Sequence, residues 1–239
     1  MAQLTFAESQ DIVRQQFAAH APWISQFTIS GVDSGGWFNV LHDLRPEVWL
    51  ARIAQRDSIL ECGSLEGGHT ALLARYPGVL RVVGLEARAA NLAKCRLIHH
   101  LLGITNSEFR ECDLETFDLK SLGDFSATFC SGVFYHLARP VAFFQKITSP
   151  FVFLGTHYCR HAVSEFEGMR GCWYSEHDQA DVLSGLSDRS FWLTLEGILE
   201  MVANCGYIID DIHTSDQPNG PWVDIALTKR PHHTSGDRS

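Results

Sequence analysis

Residues 59 to 69, Ile-Leu-Glu-Cys-Gly-Ser-Leu-Glu-Gly-Gly-His, carry an apolar strand directly into an acidic, glycine-rich turn. Glu61, Gly63 and Gly67 follow the spacing E-x-G-x-x-x-G. Glycines at such places let the backbone pass close to a ligand and take dihedrals that a β-carbon forbids. Thr70 to Arg75 then reads as the opening of a helix, and Val79 to Leu85 as a second strand ending in Glu86. Strand, glycine turn, helix and strand make one βαβ unit whose terminal carboxylate suits the hydroxyls of a ribose. A strand before a glycine turn also fits a dinucleotide site or an ordinary helix cap. Here Gly-Ser-Leu-Glu-Gly-Gly lacks the second glycine of G-x-G-x-x-G, and Glu66 would repel a pyrophosphate.

Two further elements follow in order. Phe109-Arg-Glu-Cys-Asp113-Leu places an acid after a third strand, and Phe125 to Leu137, FSATFCSGVFYHL, is a fourth strand entering a turn. With these, residues 55 to 155 resemble the class I S-adenosylmethionine-dependent methyltransferases, and Gly132-Val-Phe-Tyr-His136 is similar to the G-V-L-Y-H stretch of several of them. The resemblance implies a Rossmann-like α/β fold: a mostly parallel sheet, helices on both faces and an antiparallel C-terminal hairpin. It implies S-adenosylmethionine as cofactor, with the glycine turn (Glu61, Gly63, Leu65, Gly67, His69) beneath the methionine part. Glu86 and Ala87 fall at the ribose, Asp113 and Leu114 at the adenine, and Cys130 and Gly132 beside the transferred methyl. Carboxylates at Glu61 and Glu66 are compatible with a sulfonium and an ammonium, as they are not with phosphates.

The remaining chain is organised around that core. Residues 1–54 are expected to form an N-terminal helical lid or flank, 55–230 the methyltransferase domain that the resemblance implies, with a substrate-side insertion at 156–190, and the polar residues 231–239 a disordered tail. Helices are expected over Ala89–Leu102, closed by Gly103, over Arg139–Ile147 and over Thr194–Asn204, with strands at Phe151–Leu154, Tyr207–Asp210 and Trp222–Thr228. Trp37 and Phe38, after the Ser34-Gly-Gly36 turn, are placed to cover the methionine end. The insertion carries His157, Tyr158, His161, Arg170, Trp173 and Tyr174. Lying beyond the carboxyl ends of parallel strands, it is the candidate substrate site.

Methyl transfer to a hydroxyl or amine requires an aligned acceptor and a base for its proton. His136 is the first candidate, with Tyr135 beside it, since an imidazole titrates near neutral pH. His157 and His161, with Cys159 between and His177 downstream, have ligand spacing on a helix, but on a strand they stand roughly 13 Å apart. Cys130-Ser-Gly also occupies the place where catechol-type enzymes carry acidic metal ligands, so metal-free chemistry is expected.

Composition bounds the partners. A chain of 239 residues, 45% hydrophobic, can bury one sizeable core. A formal charge of −9 without a basic cluster disfavours nucleic acid and leaves a small-molecule acceptor. The aromatic content makes an aromatic or heteroaromatic acceptor the expectation, and the nearby His136 puts O-methylation slightly ahead of N-methylation. Seven scattered cysteines and no signal-peptide layout point to a reducing cytoplasm, and no apolar run nears the roughly 20 residues of a membrane span. Two alternatives stay open: a tRNA wobble-uridine carboxymethyltransferase, which the G-V-F-Y-H stretch and downstream Arg139-Pro140 also resemble, and a non-catalytic nucleoside-binding or partner subunit. The sequence leaves the acceptor and the oligomeric state open.

Overall fold

The computed structural model describes residues 6–176 and 181–231. His177 and residues 232–239 of the expected tail lie outside these. In chain order the elements are α1 (Phe6–Ala19), β1 (Thr28–Ile29), β2 (Val32–Asp33), α2 (Arg45–Arg52), β3 (Ser58–Cys62), α3 (Gly68–Arg75), β4 (Arg81–Glu86), α4 (Ala89–Leu101) and β5 (Ser107–Glu111). There follow β6 (Ala127–Ser131), α5 (Pro140–Phe144), β7 (Phe151–His157), β8 (Ser164–Phe166), β9 (Met169–Ser175), β10 (Arg189–Leu193), α6 (Leu195–Asn204), β11 (Tyr207–Gln217) and β12 (Gly220–Lys229).

Seven strands form the main sheet in the order β11-β12-β7-β6-β3-β4-β5. The five from β7 to β5 run parallel, while β12 and β11 are antiparallel. This is the expected Rossmann-like methyltransferase architecture, C-terminal hairpin included. Strands β3, β4 and β6 are near-continuous apolar runs because helices cover both their faces. One face packs Phe129 against Phe153, ring centroids 4.9 Å apart, beneath Trp49 of α2. The other carries the larger cluster, including Leu60, Leu85, Phe144 and Tyr207. The winding direction reverses between β3 and β6, which opens a crevice at their carboxyl ends.

Local chemistry sets several boundaries. Gly103, at φ +67°, follows α4 in the left-handed conformation common after a helix. Thr194 caps α6 by accepting from the Gly197 amide. Helix α5 starts at Pro140 as expected but ends at Phe144, short of Ile147, because bonds from Lys146 to Phe143 and from Ile147 to Phe144 tighten the chain ahead of Pro150. Strands β7 and β11 run past their expected ends. The insertion, without a readable period, folds as a three-stranded antiparallel sheet, β10-β9-β8.

Candidate active site

Glu86 ends β4, with one carboxylate oxygen accepting from the Leu65 amide at 2.9 Å and the other from the Arg88 amide at 3.0 Å. Burial pushes its pKa up, and the two amides with Asn91 partly offset that. Glu61 lies deeper, buried on β3, and accepts from the Thr70 hydroxyl. Burial pushes its carboxyl up to about 8, a rise that hydrogen bonds from Thr70 and Ser64 moderate and that the Glu86 charge reinforces. The second Glu61 oxygen is buried without a partner. Gly63 adopts φ +80°, and a β-carbon there would come 2.7 Å from that of Val133, so glycine keeps the turn open.

These groups line, or underlie, a cavity of about 1080 Å³ at the carboxyl ends of the parallel strands. A held carboxylate at the second strand end and a side-chain-free turn suit the hydroxyls and the backbone approach of a nucleoside. Leu65, His69, Ala87, Asp113, Leu114 and Gly132 also face the cavity. Asp113 additionally holds its own turn through the Glu115 amide at 2.9 Å.

The opposite end of the cavity is aromatic. A 3-10 turn over Phe134–His136 turns Tyr135 and His136 to the same side, their rings 4.1 Å apart. His157 stacks on Trp192 at 5.2 Å, Tyr174 stacks on Trp192 at 4.6 Å, and Trp222 meets His157 edge-on. His136 Nδ1 lies 3.0 Å from Glu176 Oε2, and the Gly185 amide donates to the same oxygen at 2.7 Å. Although burial raises Glu176, the His136 ring and the Gly185 amide hold it below the usual carboxylate range. Burial lowers His157, whose Nδ1 donates to the Pro221 carbonyl, and raises Tyr135 to about 12. Tyr135 is therefore a stacking surface and proton donor at neutral pH rather than a base.

The N-terminal segment closes a third wall. Asp43 receives His69 Nε2 at 2.8 Å and Arg45 Nε at 3.0 Å; burial would raise it, but these partners hold it far below the usual range. Trp37 and Phe38 line this wall. The insertion reaches back across the cavity, with Arg88 Nη2 donating to the carbonyls of Asp181 and Ser184.

Several expected residues stand elsewhere. Glu61 and Gly67 lie beneath the cavity rather than on its wall; the Gly67 carbonyl is taken by His99. Cys130 points into the core and Ser131 into the cavity, because successive strand residues face opposite sides. The same alternation separates Tyr174 from Trp173, which packs on Phe166 and Phe191 under the Arg189 guanidinium. Tyr158 packs against the core, while His161 and Arg170 are exposed off the cavity. Glu66, expected near a cationic ligand, is wholly buried and spends its charge on Lys94 Nζ at 2.7 Å and the Ser25 amide at 2.6 Å. Among the described residues no group of three or more His, Cys, Asp or Glu is placed to hold a metal. Asp43, Arg45, Ser131, Trp192, Trp222 and Asp224 were not legible as site residues, since each becomes one only through long-range strand register or folding of the N-terminal segment.

Residues 60–149 match a family model described as a methyltransferase domain. A search of curated proteins gave no match. Among solved structures, the N-terminal domain of EvdMO1, crystallised in the presence of SAH and D-fucose, is similar at 26% identity and TM-score 0.79, covering 92% of this chain and 97% of that one. Against the crystal structure of EvdMO1 itself the identity is 25% and the TM-score 0.69, covering 92% of this chain, which spans 47% of the longer protein. The 1,6-didemethyltoxoflavin-N1-methyltransferase of Burkholderia thailandensis shares the fold at 13% identity and TM-score 0.59, covering 97% of this chain and 93% of its own.

Proposed function

Because the chain is a class I S-adenosylmethionine-dependent methyltransferase, we propose that it methylates a hydroxyl of a small ring-shaped acceptor, aromatic or heteroaromatic, with His136 as general base. The observation that carries this reading is the His136–Glu176 pair beside an aromatic wall in the cavity that Glu86 and the Gly63 turn also line. When bound, the cofactor supplies a methyl group activated by a sulfonium. Glu86 would hold its ribose, Asp113 its adenine, and the Gly63 turn its methionine end, with Glu61 supporting that turn from below.

The rest is work for this chain's side chains. An ionised Glu176 only accepts hydrogen bonds, so the neutral His136 ring carries its proton on Nδ1 and keeps Nε2 free to take a proton from the acceptor hydroxyl. The imidazolium that results is stabilised by the same carboxylate. Tyr135, Tyr174, Trp192 and Trp222 offer flat apolar surfaces that align a ring and exclude water. The D-fucose with the EvdMO1 N-terminal domain favours a second reading, a sugar ring packing its C–H face on these aromatics.

Calorimetric titration with S-adenosylmethionine, S-adenosylhomocysteine, the carboxylated cofactor and NAD, followed by an acceptor screen, tests the proposal. Binding of the first two together with methylation of a cyclic alcohol or phenol is the expected result. Preference for the carboxylated cofactor would replace it with the wobble-uridine reading, and binding without turnover on any acceptor would leave a non-catalytic subunit.

A further inference from the structure

Three adjacent strands place Ser131, Gly155 and Asp224 in one row: Gly155 of β7 is the register partner of Ser131 on β6 and of Asp224 on β12. Gly155 has no side chain to stand between its neighbours. A β-carbon built there would meet Ser131 Oγ at 2.7 Å and Asp224 Oδ1 at 2.8 Å, so the two polar atoms converge over the glycine. Ser131 Oγ is buried, the residue 7% exposed, and has no hydrogen-bond partner. Both residues line the cavity. Asp224 is fixed by Trp222 Nε1 at 2.9 Å and by Arg45 Nη1 at 3.4 Å.

A buried hydroxyl without a partner is costly in a finished site and is explained by a ligand group that completes it. The sheet order says which end of the reaction that group belongs to. Glu86, on β4, is four strand steps from β12, roughly 19 Å at about 4.8 Å per step, so Asp224 stands on the acceptor side. Ser131 can donate and Asp224 accept, which matches a hydroxyl; an ether or carbonyl would leave Asp224 unmatched, and a carboxylate would be repelled. An ammonium is less suited because it has no lone pair to accept from Ser131 and would leave that hydroxyl proton unmatched.

We propose that Ser131 and Asp224, brought together over Gly155, form a subsite for a second hydroxyl of the acceptor, distinct from the one methylated beside His136. The subsite rests on the methyltransferase reading and narrows it to acceptors with at least two hydroxyl groups. It works by hydrogen-bond matching and selects among rings that the aromatic wall alone would accept equally.

The test is binding of defined probes to the SAH-loaded protein: phenol against catechol, resorcinol and hydroquinone, and cyclohexanol against D-fucose. At least one polyhydroxyl probe is expected to bind about tenfold more tightly than its single-hydroxyl counterpart, the gain of one good hydrogen bond. Ser131→Ala is expected to abolish that preference without changing SAH affinity or melting temperature, because a merely structural role for an unpartnered oxygen would leave binding untouched. Gly155→Ala, which fills the convergence point, is expected to abolish the preference as well, with a lowered melting temperature because its β-carbon would press on Ser131, Asp224 and Trp222. Equal binding of both probe classes, no binding of any probe, or a preference that survives Ser131→Ala overturns the subsite. Failure of SAH to bind the wild type would sink the methyltransferase reading beneath it.

Discussion

His136 and Glu176, 40 residues apart in the chain, are joined by a 3.0 Å contact from ring Nδ1 to carboxylate. Replacing His136 by Ala is expected to lower kcat by about 10²–10⁴, the usual span for a lost general base, with SAH affinity unchanged by calorimetry. Glu176→Gln leaves the shape but lets an amide face Nδ1 and favour the wrong tautomer, so kcat should fall about tenfold or more while KM for the cofactor stays put. Full single-turnover rates in both variants would remove His136 as the base.

Glu86 is the carboxylate that the Leu65 and Arg88 amides hold at the end of β4. Its change to Ala is expected to weaken SAH binding by about 1.5–3 kcal/mol, the loss of hydrogen bonds to a charged group. Titration calorimetry reads this directly, and an unchanged Kd would place the ribose elsewhere.

Glu61 predicts a pH dependence of stability in the cofactor-free protein. Its carboxyl is raised from the ordinary 4.5 to about 8 by burial, so the unfolded chain ionises first and the folded state keeps the proton. Stability is then full below pH 4.5 and declines as pH rises toward 8, by up to about 1.4 kcal/mol per unit. Melting temperatures measured across that window should fall in the wild type and flatten in Glu61→Gln. A parallel fall in both proteins would rule out Glu61 as the source.

Lys94 is the buried cation of Glu66 and also donates to the Pro22 carbonyl. Lys94→Met should cost about 3–5 kcal/mol in urea unfolding, since it strands a buried carboxylate. Because Glu66 also receives the Ile24 and Ser25 amides, proteolysis near residues 22–25 should accelerate in the same variant. A stability within error of wild type would mean that the N-terminal segment is held by its apolar contacts alone.

Much of the core was legible because its signals are local. Gly63 and Gly67 need positive φ, and Glu86 closes an apolar run, so the sequence displays both without knowledge of the partners. Faces were less legible than positions. Cys130 and Trp173 stood one residue from Ser131 and Tyr174, and a strand's alternation sends neighbours to opposite sides once register is set. Glu66 illustrates a different limit: an acid in a cofactor turn looks like a ligand group until its cation, 28 residues on, is folded beside it.

By itself, then, the amino-acid sequence determined the βαβ succession, the cofactor turn and the carboxylate at Glu86, since hydrophobic period, glycine placement and strand ends are written within a few residues of one another. Only the tertiary structure decided the acceptor side. The insertion had to fold as its own sheet to bring Glu176 to His136 and Tyr174 to Trp192, and β12 had to pair antiparallel with β7 to set Asp224 opposite Ser131 across Gly155. Those contacts join residues far apart in the chain through strand register and packing, which are properties of the whole fold and leave no mark on any short stretch of it.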